Sequence, residues 1–97
     1  MNYNFTWDNK KALTNKLKHN VSFESASTIF IDPNALSIFD SEHSEMEDRW
    51  ITLGLNNTGN MLVVIHTFNF IDNSNAEIRI ISARKANKYE IKQYNKR

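Results

Sequence analysis

An α+β fold follows from three observations on this 97-residue sequence. Apolar residues recur at helical spacing between Lys10 and Ile31 and again near the C-terminus. The stretch Arg49 to Ala83 instead holds β-branched and apolar runs separated by Asn-, Asp- and Gly-containing turns. Helices gathered before a meander predict a small antiparallel sheet of about four to five strands, with two N-terminal helices and one C-terminal helix. No repeat, linker or low-complexity tract divides the chain, so 1–97 is expected to be one domain.

Asn2 to Trp7 alternates, with Tyr3, Phe5 and Trp7 on one side, as a strand with one buried face does. Asp8 is a suitable N-cap for a helix over Lys10–His19 with Ala12, Leu13 and Leu17 as its apolar side. Asn20 tolerates the left-handed conformation that stops a helix. Ser22 opens a second helix with Phe23, Ala26, Ile29 and Phe30 as its stripe, though Ser25 stands where a capping-box Glu would be. Asp32-Pro33 ends it. Ala35–Phe39 is a short strand, Asp40–Glu47 an acidic loop, and Arg49–Leu55 a strand with Trp50, Thr52 and Gly54 opposite Ile51, Leu53 and Leu55. Asn56–Asn60 is a hairpin loop requiring positive φ. Two further strands, from Met61 to Thr67 and Ile78–Ala83, flank the turn Asp72–Asn75. From Arg84 or Lys85 to the end the spacing predicts a helix.

Apolar residues are 40% and charged residues 24%, ordinary for a globular domain. There is no cysteine, which excludes disulfides, thiolate chemistry and Cys-based zinc sites. No run approaches the roughly 18 apolar residues of a membrane helix. Met1–Phe5 lacks the basic start and apolar centre of a secretory signal, so the cytoplasm is the expected location. The net charge of +1 hides a split. Asp32 to Asp48 holds six acids and no Lys or Arg, whereas Arg79 to Arg97 holds seven basic residues and one acid, Glu90. Such polarity suits a polyanion on one side and a basic partner on the other, or simply solvated faces.

His19, His43 and His66 have no metal-ligand spacing, and with only Gly54 and Gly59 there is no phosphate-binding glycine loop; no cofactor is expected. A metal-free phosphodiester site remains. Internal RNA cleavage needs a base for the 2′-hydroxyl, cations for the phosphate and an acid for the leaving oxygen. His66, Arg79, Arg84 and Lys85 are the right types. Arg79 and Arg84 would point to opposite faces of a regular strand and converge only if it ends or bulges near Ser82. The plainer alternatives are a hydrogen-bonded strand-end His66 and an Arg79 paired with Glu47 or Glu77. Arg84 and Lys85 at a helix start would oppose the helix dipole, which weakens a purely structural role. Trp7, Trp50, Tyr89 and Tyr94 could stack bases, although Trp7 suits the core better.

At these residues the chain resembles the BrnT toxins of bacterial type II toxin–antitoxin systems. The resemblance runs from Phe5 to Tyr94. It rests on Phe5-Thr6-Trp7-Asp8 with Lys11, Asn15 to Glu24, Asp32-Pro33, Glu47-Asp48-Arg49-Trp50, Val63 to Thr67, and Ile78 to Ala86 with Glu90 and Tyr94. Asn20 stands where relatives have glycine, and the loop Phe68–Asn75 is longer and less charged than theirs. The resemblance implies a RelE-like fold and a metal-independent endoribonuclease that inhibits translation and growth. It also implies neutralisation by a BrnA-like antitoxin, in a 2:2 heterotetramer that holds operator DNA through the antitoxin. Carried onto this chain, it places Arg79, Arg84 and Lys85 at the phosphate, His66 or Glu47 in proton transfer, and Lys11, Lys18, His19, Arg49 and Tyr94 against RNA. Two rivals share this surface: a non-catalytic RNA- or partner-binding module, and an inactive homologue kept as a co-repressor.

Overall fold

The computed structural model describes residues 1–96. Its elements are β1 (Asn2–Thr6), α1 (Asn9–His19), α2 (Phe23–Ser27) continued by a 3-10 turn (Thr28–Ile31), β2 (Leu36–Phe39), a 3-10 turn (Ser41–His43), β3 (Arg49–Leu55), β4 (Met61–Thr67), β5 (Asn69–Phe70), β6 (Asn75–Lys85) and α3 (Lys88–Asn95). The local signals explain most boundaries. Asp8 accepts from the Lys11 N–H at 3.0 Å, Asn20 takes the left-handed conformation at φ 56°, and the Ser22 hydroxyl caps the Ser25 N–H. Gly59, at φ 84°, supplies the positive φ of the β3–β4 hairpin.

The strands form one sheet in the order β1-β6-β4-β3-β2, with β5 also on β6. β1 runs parallel to β6, so the sheet is mixed rather than antiparallel. No hairpin joins these two strands, so no turn dictates their direction. The register Tyr3↔Ala76 and Phe5↔Ile78 instead aligns the aromatic face of β1 with the core face of β6. With the two-residue β5, six strands stand where four to five were expected.

One face of the sheet carries α1 and α2. Phe23, Ala26 and Ile29 pack there against Leu62, Val64, Ile78, Ile80 and Ala83. Phe23, Ile29, Leu62, Ile78 and Ile80 are fully buried, each side chain stabilising the fold by roughly 1.5–3 kcal/mol. Tyr3, Phe5, Phe30 and Phe68 extend this core with edge-on and tilted ring contacts.

The opposite, outer face is not left bare. β6 continues through Arg84 and Lys85 because Leu62 and Val63 of β4 still pair with them. The C-terminal helix therefore begins later than its periodicity predicts, and Arg97 of that expected helix lies outside the described residues. Its start is set by a capping box between Asn87 and Glu90. α3 then folds over Leu36, Leu53 and Val63, latched by Arg84–Glu90 and by the Tyr94 hydroxyl, which donates to Asp32 at 2.7 Å.

α1 is rotated away from the expected orientation. Leu13 and Leu17 are 68% and 89% exposed, while the buried residue of the helix is Asn15. The reason is the free edge of β6: β1 covers it only as far as Arg79. Beyond that point the Asn15 amide acts as a one-residue strand. Its Nδ2 donates to the Ala83 carbonyl at 2.9 Å, and its Oδ1 accepts the Ala83 N–H at 3.1 Å. Nδ2 also donates to the Val21 carbonyl at 2.9 Å, tying down the α1–α2 turn.

Asn15→Ala would leave the Ala83 N–H and C=O and the Val21 C=O without partners in the interior. A loss of about 2–4 kcal/mol is expected, read as a lower urea midpoint with the m-value unchanged.

Candidate active site

Pairing between β4 and β6 slips by one residue, from Ile65↔Ser82 to His66↔Ile80. The extra residue, Ile81, is a bulge that reverses the alternation of β6. Ala76, Ile78, Ile80 and Ala83 consequently all face the helices, while Arg79, Ser82 and Arg84 share the outer face. The bulge that would let Arg79 and Arg84 share a face is thus present. The two residues still lie roughly 15 Å apart along the strand, and their side chains have different neighbours.

Arg84 is engaged. Both arms of its fork donate to the two Glu90 oxygens, each at 2.8 Å. This hydrogen bonding raises the Arg84 pKa and holds the Glu90 carboxyl below its ordinary value. Because Arg84 lies in β6 and not at a helix start, its charge anchors the first turn of α3 instead of opposing the dipole. Lys85 pairs with Leu62 and belongs to the helix-side face, where it is exposed. Tyr94 is half-buried and held by Asp32.

Arg79 lies in a different cluster. Arg49 of β3 pairs with Thr67 of β4, and the Arg79 N–H donates to the Thr67 hydroxyl at 3.1 Å. Arg49 and Arg79 therefore flank Thr67 on adjacent strands. The Glu47 carboxylate, from the acidic loop, sits between them, hydrogen-bonded to Arg79 Nη2 and 3.9 Å from Arg49 Nη2. Arg79 and Glu47 are 42% and 36% exposed, open to a ligand. Among the described residues the Arg49 Nε is buried without a hydrogen-bond partner. Among the described residues no three His, Asp or Glu side chains are placed to hold a metal ion.

His66 faces the other way. It is 3% exposed, with its ring edge-on to Phe30 at 4.8 Å. Its Nδ1–H donates to the Thr67 carbonyl at 2.9 Å, which leaves Nε2 to accept the Thr52 hydroxyl at 2.6 Å. Thr52 in turn lies 2.7 Å from the Ser37 hydroxyl. The structure thus gives His66 the plainer role, that of a hydrogen-bonded strand-end histidine, and separates it from Arg79 by the thickness of the sheet. Period-2 alternation contained this separation once the bulge was placed.

Lys11, Lys18 and His19 come together. With Lys10, Thr14 and Asn15 they line a groove between α1 and Ile81–Ser82. His43, which the sequence shows only to lack metal-ligand spacing, also enters the site region. His43 lines one cleft with Glu42, Glu45, Met46, Glu47 and Arg49. Its available signal was the spacing to Asp40, which its ring reaches.

The family model described as the ribonuclease toxin BrnT of type II toxin–antitoxin systems matches residues 7–90. The chain belongs to the BrnT family. The fold of this BrnT protein is similar to that in the crystal structure of the Brucella abortus ribonuclease toxin BrnT. The TM-score is 0.60 at 22% identity, covering 87% of this chain and 96% of that one. A comparison with curated proteins finds no match. Among the described residues no helix is long and apolar enough to cross a membrane.

Burial lowers the His66 pKa, opposed only in part by the Thr67 carbonyl. The unfolded chain takes up a proton near the ordinary value of 6.5, whereas the folded chain does so only at lower pH. Between these values the unfolded state binds more protons, so stability falls as pH falls. Urea midpoints taken from about pH 7.5 down to about pH 5 should decline for wild type, and His66→Gln should show a smaller decline from a lower starting point.

Proposed function

We propose that this BrnT protein is a metal-independent endoribonuclease, a single toxin domain of RelE-like kinship that cuts RNA in the cytoplasm and inhibits translation and growth. The observation that carries the reading is the exposed Glu47 carboxylate set between the Arg49 and Arg79 guanidiniums on the outer sheet face. Glu47 takes the proton of the 2′-hydroxyl as that oxygen attacks phosphorus. Arg79 and Arg49 hold the non-bridging oxygens and stabilise the charge that builds there. Arg84, occupied by Glu90, anchors α3 on the same outer face, where the exposed Tyr89 is available for base stacking.

RNA gains further purchase from the groove of Lys10, Lys11, Lys18 and His19, which meets the outer face at Ser82. The lysines there act on the backbone without reading sequence. The partner proposed for this toxin is a BrnA-like antitoxin, in a 2:2 assembly that grips operator DNA through the antitoxin.

The test is cleavage of bulk RNA in EDTA by the purified chain, repeated without chelator on translating ribosomes. Wild type should shorten RNA, whereas a pure binding module would protect it. Arg79→Ala and Glu47→Gln should each lose at least about 100-fold in rate. The pair is exposed and contributes only ~0–1 kcal/mol to stability, so both variants should keep wild-type melting behaviour. A folded Arg79→Ala protein with full activity would remove that residue from the site.

A further inference from the structure

Resting on that ribonuclease reading, one requirement is still unmet. Transesterification moves two protons: one leaves the 2′-oxygen and one must reach the departing 5′-oxygen. Glu47 accounts for the first. Arginine does not release its proton at neutral pH, and His66 is buried on the far face with both ring nitrogens engaged. His19 lies in the α1 groove. His43 remains, on the same loop as Glu47.

That loop is a closed clip. The Asp40 N–H donates to the Arg49 carbonyl at 2.8 Å, the Ser44 hydroxyl donates to the Asp40 carbonyl at 2.6 Å, and the Arg49 N–H donates to the Ser44 hydroxyl at 3.0 Å. One 3-10 turn, Ser41–His43, fits inside it. The clip therefore presents His43, Glu47 and Arg49 along a single cleft. The His43 Nδ1–H donates to Asp40 Oδ2 at 2.9 Å, and the Asp40 side chain is only 14% exposed. The ring itself is 63% exposed, and its Nε2 has no protein partner among the described residues.

We infer that His43 is the general acid of this site and that Asp40 is its positioning residue. Glu47 removes the 2′-proton, the 2′-oxygen bonds to phosphorus, the bond from phosphorus to the 5′-oxygen breaks, and His43 Nε2–H protonates that oxygen. The products are a 2′,3′-cyclic phosphate and a free 5′-hydroxyl. Asp40 holds the ring so that Nε2 is the nitrogen turned to substrate.

The decisive experiment uses an RNA spanning a linkage that wild type cuts, made with either the ordinary 5′-oxygen or a bridging 5′-sulfur at that linkage. A thiolate leaves without protonation. His43→Ala should cut the ordinary linkage at least about 100-fold more slowly than wild type, yet cut the sulfur linkage within about tenfold of it. Asp40→Ala should show the same pattern in weaker form, and Arg79→Ala should be slow on both. Circular dichroism and melting confirm that the variants fold. Full activity of His43→Ala on ordinary RNA, or equal loss on both linkages, would overturn the assignment of His43. A wild-type protein that cuts neither substrate would overturn the ribonuclease reading instead.

Discussion

The amide of Asn15 closes a gap that the sheet cannot close itself. β6 is the strand on which the others depend, yet β1 ends at Thr6, opposite Arg79, and leaves the following edge of β6 open. An unpaired N–H and C=O at Ala83, which is buried, would destabilise the strand that carries the site. A primary amide offers one donor and one acceptor at the spacing of a peptide group, so a single asparagine replaces a strand there. Placing residue 15 against the sheet also sets the roll of α1. Lys11, Lys18 and His19, at i−4, i+3 and i+4, are carried to the same side, and Leu13 and Leu17 are turned outward. The basic groove is a consequence of the edge repair.

The bulge at Ile81 is the second constraint. Without it, either the core residues Ile80 and Ala83 or the cations Arg79 and Arg84 would fall on the wrong face. With it, β6 buries an apolar series toward α2 and keeps its charge on the other side. The two arginines then serve different ends. Arg84 spends its fork on Glu90 and so fixes α3, whose capping box uses the same carboxylate. Arg79 meets a carboxylate from a solvent-exposed loop, an arrangement that adds little to stability and leaves the charges accessible.

Charge placement on the outer face follows. The acidic clip brings Glu47 and His43 to the start of β3, where Arg49 waits. The polarity visible along the chain thus resolves into contact between an acidic loop and basic strands, in addition to a separate basic groove on α1.

Strand and helix positions were legible in the sequence because their signals are local. Alternation in β1 and β3, the caps at Asp8, Asn20 and Ser22, the stop at Asp32-Pro33 and the positive φ at Gly59 each need only a few neighbouring residues. The candidates Arg79, Glu47, Lys11, Lys18 and His19 were also named there, by residue type and by resemblance. What only the tertiary structure decided was partnership. The parallel β1–β6 pair, the roll of α1 around Asn15, the bulge at Ile81 and the extension of β6 through Lys85 all depend on contacts between distant residues. Such contacts are chosen by which backbone groups would otherwise stay unpaired in the interior, a quantity that no local pattern encodes.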